Sequence, residues 1–131
     1  MKGLTFRAWR DDAPIWLGDL LLALGPEKVE QTRWEMKQLE CAGDPLSART
    51  LEGACDQGTR LSGTLLLDIA KQGHGVQGID GELRGYQQAR DDPWIVLRTV
   101  DSSWWDVECA ANDVLETLRS HYPDATPLPE A

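Results

Sequence analysis

Two adjacent tryptophans, Trp104 and Trp105, follow a serine pair in the stretch WIVLRTVDSSWWDVEC, residues 94 to 109. Neighbouring side chains on a strand point to opposite faces, so a hairpin here sends one indole inward and one outward. A slip of one residue exchanges them. A two-residue turn at Ser102 and Ser103 sets Thr99 against Asp106 and Arg98 against Val107, which mixes both faces. A loop of Asp101 to Ser103 instead pairs Thr99 with Trp105, Leu97 with Val107 and Ile95 with Cys109, and collects an apolar set on one side. It also places Arg98 across from Asp106 and Val100 across from Trp104. The loop is therefore odd in length, with Trp105 in the core and Trp104 outside.

The same reasoning orders the rest of the chain. Leu4, Phe6 and Ala8 alternate with Thr5, Arg7 and Trp9 as a first strand. Pro14 suits the first turn of a helix that Gly25 and Pro26 end, with Trp16, Leu20 and Leu24 on one face and Leu17 and Leu21 beside it. In residues 30 to 43 Trp34 and Met36 share one parity while Leu39 and Cys41 share the other, as in a strand with a bulge. Residues 43 to 59 combine turn chemistry with little periodicity and read as a long connection or lid, with room for no more than one short helical turn. Ser62 caps a helix through Gln72, which Gly73 and Gly75 stop. In the next strand Ile79 and Leu83 oppose Asp80, Glu82, Arg84 and Tyr86. The WIVLRTV hairpin follows, then a helix capped by Asn112, with Val114, Leu118 and Tyr122 as its buried stripe. The order β-α-β-α-β-β-β-α predicts a single α+β domain over residues 1 to 122. Helices cover mostly one face of a mainly antiparallel sheet of about five strands, and residues 123 to 131 form a solvated tail.

Charge and cysteine content bound the function. The chain has 131 residues, 22 acidic and 13 basic, for a net charge of −9. That field repels phosphates and anionic lipid, and the small clusters Arg7/Arg10 and Arg84/Arg90 have acids among or beside them. Neither nucleic acid nor membrane is an expected partner; a basic protein is. An odd three cysteines, Cys41, Cys55 and Cys109, suit reduced thiols and a cytoplasmic location. The apolar run from Ile15 to Gly25 is about half the roughly 20 residues a membrane span needs, and no cleavage site follows it.

No catalytic signature is present. GHGVQG, residues 73 to 78, spells G-x-G-x-x-G, but the order is helix, glycines, strand, the reverse of a dinucleotide site. Cys41, Cys55, Cys109, His74 and His121 lack zinc-ligand spacing, so no metal or other cofactor is expected. Ser102 and Ser103 lack a nucleophile elbow, and the turn itself accounts for them. Asp80 and Glu82 share a strand face, but paired carboxylates on a solvent face ordinarily serve solubility.

The register leaves Trp94, Val96, Arg98, Trp104, Asp106 and Glu108 on the outer face, extended by Asp80, Glu82, Arg84 and Tyr86. Aromatic anchors among charges are the composition of interface hot spots. The expected function is a protein-binding module, of the inhibitor or immunity type, that takes a basic partner through Trp104, Tyr86, Asp80, Glu82, Asp106 and Glu108. Two alternatives are a small-molecule site or enzyme with a carboxylate-lined pocket under residues 43 to 59, and a homodimer closed over the aromatic face.

Overall fold

The structure, a computed structural model, describes residues 1–73, 75–88 and 90–129. In chain order the strands of the main sheet are β1 (Lys2–Arg7), β4 (Arg33–Gly43), β5 (Leu61–Ser62), β6 (Val76–Tyr86), β7 (Ile95–Val100), β8 (Trp104–Cys109) and β9 (Thr126–Pro127). Two further strands, β2 (Trp9–Arg10) and β3 (Ala13–Pro14), form a separate small hairpin. The helices are α1 (Leu17–Leu24), α2 (Pro26–Glu30), α3 (Pro45–Gln57), α4 (Gly63–Lys71) and α5 (Asn112–His121). The main sheet runs β5-β4-β6-β7-β8-β1-β9, and every pairing in it is antiparallel. The α+β class and the antiparallel sheet are as the sequence implies. The extra strands are two residues long, too short to show any alternation.

The helices form one layer, because α1 touches α2, α4 and α5 while α4 touches α2 and α3. Beneath them lie Leu4, Phe6, Trp34, Met36, Leu83, Leu97, Trp105 and Val107, all essentially buried. Phe6 stacks on Tyr122 with ring centroids 4.4 Å apart, which fixes the end of α5 over β1.

The parity change in β4 is resolved by a bulge. Register shifts after Lys37, and Gln38 takes φ 50°, so Trp34 and Met36 before it and Leu39 after it all reach the same core.

Three sequence expectations are overturned. Residues 43 to 59 are no lid: they hold the thirteen-residue helix α3. Its signals were present and were masked by a polar face. Asp44 accepts hydrogen bonds from the N–H and hydroxyl of Ser47 at 3.0 Å each, Pro45 occupies the first turn, and Gly58 closes the helix at φ 66°. In α3, Ser47, Ala48 and Leu51 are buried, a narrow stripe. The helix also guards the sheet edge. The Leu39 N–H donates to Cys55 Sγ and the Cys41 N–H to Glu52 Oε2, both at 3.4 Å, where β5 no longer covers β4. Asp44→Ala is expected to lower stability by about 1 kcal/mol, read as a lower urea midpoint, with loss of protection of the first-turn amides in hydrogen exchange.

The second correction is Asn112, which is the first residue of α5 rather than its cap; Ala111 holds the cap position without a side-chain bond. The third is Pro14, which pairs with Trp9 in the β2–β3 hairpin, so that α1 begins only at Leu17. The C-terminal stretch is mostly exposed but not free. Thr126 and Pro127 pair with Thr5 and Leu4, and the Leu128 N–H donates to Gly3 O at 2.9 Å.

Candidate functional site

The hairpin register is the odd-loop one. Thr99 pairs with Trp105, Arg98 with Asp106 and Val100 with Trp104. Trp105 is 1% exposed and donates its indole N–H to Ile15 O at 3.3 Å, whereas Trp104 is 41% exposed. On the neighbouring strand Glu82 stands beside Arg98 and Arg84 beside Val96. The outer face carries Arg98, Trp104, Glu108, Glu82 and Arg84 as expected, in two zones with different chemistry. Trp94 is not on it: its ring packs against the core and its indole N–H donates to buried Thr32 on the helix side.

The centre is a paired lattice. Arg98 meets Glu108 at 2.6 Å and Glu82 at 3.3 Å, and Arg84 meets Glu82 at 2.9 Å. The hydrogen bond from Arg84 to Glu82 is the main reason the guanidinium is held even more firmly protonated than usual. Val96 lies between Arg84 and Glu108 on the strand grid and is buried, in keeping with long charged side chains laying their stems over apolar surface. The same face continues onto β4, where Glu35 and Lys37 approach at 3.8 Å. Glu82 and Glu108 are thus engaged by the protein's own cations. Tyr86 shares this face but is no presented anchor. It is buried, its hydroxyl donates to Glu35 Oε1 at 3.1 Å, and the Arg60 guanidinium sits 3.9 Å from its ring centroid.

The end of the face at the β7–β8 loop is different. Trp104, Trp9 and Val100 are 41%, 44% and 39% exposed. The Trp9 indole N–H donates to Ser102 O at 2.7 Å, the Ala8 N–H to Ser103 O at 2.9 Å, and Arg7 lies 5.7 Å from the Trp104 ring centroid. On the β6 side Asp80 Oδ1 accepts the Asp101 N–H at 3.0 Å, and Ile79 O accepts the Ser102 N–H at 2.9 Å. Asp80 is therefore a loop clamp. The clamping holds a backbone that L residues adopt at a cost: Asp101 and Ser102 have φ 50° and 58°, and Asp11 and Asp12, at the tip of the β2–β3 hairpin, have φ 50° and 64°. Both tight loops lie beside the exposed tryptophans. Among the described residues, Asp11, Asp12, Asp101 and Asp106 enter no ion pair through their carboxylates.

The structure adds Trp9, Val100 and three aspartates to the site. Trp9 was detectable, because it has the parity of Thr5 and Arg7 and so faces away from Leu4 and Phe6. Val100 was visible as the partner of Trp104. The aspartates belong to loops whose mutual approach is a tertiary event.

Among the described residues no three His, Cys, Asp or Glu side chains gather as metal ligands, and His74 lies outside those residues. Burial, then Glu52 and Cys55, push the Cys41 thiol up to about 12, and burial raises Cys109 as well, so both are held as thiols rather than thiolates. Five surface cavities of 430 to 610 Å³ are lined by other parts of the chain than residues 43 to 59. Among the described residues no helix is long and apolar enough to cross a membrane. No protein-family model, no curated protein and no solved structure matches the chain.

Proposed function

We propose that this protein is a binding module of the inhibitor or immunity type, which takes a basic protein partner at the Trp9/Trp104 end of its open sheet face. The observation that carries this is the pair of half-exposed tryptophans held by clamped, left-handed loops and flanked by unpaired aspartates. Rigid aromatics contribute contact area at little entropic cost on binding, because their geometry is already set by folding. Unpaired carboxylates at the rim steer a cationic surface toward them, and the net charge of −9 extends that attraction. The central Glu82, Arg84, Arg98 and Glu108 lattice holds the platform flat and contributes little affinity of its own.

The test is binding to the basic proteins encoded beside this gene, measured at low and physiological salt. Trp9→Ala and Trp104→Ala are each expected to weaken the complex by roughly tenfold or more, chiefly through faster dissociation. Asp106→Asn should slow association and flatten its salt dependence. If neither tryptophan variant changes the affinity, or if no neighbouring product binds, the assignment fails. A concentration-dependent dimer in sedimentation that Trp104→Ala dissolves would reassign the patch to self-association.

A further inference from the structure

A second surface lies at the opposite end of β7, roughly 20 Å from Trp104 at the rise per residue of a strand. Two cavities, of about 610 and 520 Å³, lie against Trp94 and share Gln87 and Ala111 in their walls. Both fall within the roughly 300–1,000 Å³ of small-molecule sites. Trp94 is immobilised from three directions. Its N–H donates to Gly85 O at 2.9 Å, its carbonyl accepts the Ala110 N–H at 2.9 Å, and its indole N–H donates to Thr32 Oγ1 at 3.2 Å. Thr32 in turn donates to Lys28 O at 2.6 Å, which completes the network. The one polar group of the indole is spent inside the protein, so the ring offers the cleft only its carbon framework.

Around that ring stand Gln31, Gln87 and Gln88, whose side-chain amides have no protein partner among the described residues. Each amide both donates and accepts. Lys28, on the same rim, pairs with Asp113 at 2.8 Å, and Arg90 in the wall of the adjoining cavity stands with Asp91 and Asp92, so the lining carries no net positive charge for an anionic ligand. The main-chain N–H and C=O of Trp94 are used in sheet pairing, so an extended peptide finds no ladder to join there. A flat apolar wall ringed by amides suits a ligand with an apolar face and an edge of hydroxyls.

We propose that the Trp94 cleft binds a neutral carbohydrate, with the C–H face of a sugar ring on the indole and its hydroxyls on the amides of Gln31, Gln87 and Gln88. Asp91 and Asp92, which line the adjoining cavity, accept hydrogen bonds from the hydroxyls of a second ring. This site shares no residue with the Trp9/Trp104 surface and stands or falls separately from it.

The test is a titration of the isotope-labelled protein with glucose, galactose, mannose, N-acetylglucosamine and cellobiose, following the indole N–H and glutamine side-chain NH₂ resonances. At least one sugar is expected to cause saturable shifts at Trp94 and the three glutamines, with a Kd in the millimolar range. Gln31→Ala and Gln87→Ala, surface changes that leave the fold intact, should each weaken binding several-fold. Trp94→Phe, which keeps a ring but loses the bond to Thr32, should weaken it further. The proposal is overturned if none of the five sugars shifts these resonances, if the shifts persist unchanged in both glutamine variants, or if only a nucleoside or a peptide elicits them.

Discussion

Replacing Gly63 with alanine is expected to remove more than about 3 kcal/mol of stability and to leave little folded protein. Gly63 opens α4 directly beneath the end of α2. A Cβ built there would lie 1.6 Å from Val29 O, 2.5 Å from Val29 C and 2.8 Å from Glu30 Cα. All three are backbone atoms, so no rotamer change relieves the clash, and the two helices must separate. Helix propensity works the other way, favouring alanine by about 1 kcal/mol, and sterics win by magnitude. Gly53 supplies the control. It lies inside α3, and a Cβ there would meet nothing within 4 Å. Gly53→Ala is expected to stabilise by roughly 0.5–1 kcal/mol. Urea unfolding of both variants reads the two signs directly. Equal effects would mean that α2 and α4 do not approach as described.

The second large effect separates the neighbouring tryptophans. Trp105→Ala removes a fully buried indole and leaves Ile15 O without its donor, and it is expected to cost about 3–5 kcal/mol. Trp104→Ala removes a half-exposed ring and is expected to cost under about 1 kcal/mol, while abolishing most of the proposed partner affinity. If Trp104→Ala were instead the costlier of the two, the hairpin would be in the other register. Stability and binding thus respond to opposite members of one dipeptide.

That register was legible because the strand period is two and only one loop length makes a face apolar. The bulge in β4 was legible for the same reason: Trp34 and Leu39 both belong in the core, and no unbroken strand puts them there. Helix α3 was not, since its few buried residues leave the periodic signal weak and its caps resemble ordinary turn residues. The candidate site was half legible. Trp104 and Asp106 followed from register, but Tyr86 looked equally available until Arg60 and Glu35 closed over it, and Asp80 proved to be a clamp on the loop.

Residues close in sequence determined the class of this fold, the antiparallel hairpin and the direction of each tryptophan in it, because alternation and turn length are local geometry. Only the tertiary structure decided which outer-face charges remain unpaired. Arg98 and Arg84 neutralise Glu82 and Glu108, and Glu82 sits on a different strand from Arg98 and Glu108, so their approach depends on how the strands are ordered in the sheet. The same holds for Trp9 beside Trp104. Strand β1, from the start of the chain, pairs with β8, from near its end, and so brings Trp9, just after β1, to the same end of the sheet as Trp104, at the β7–β8 loop.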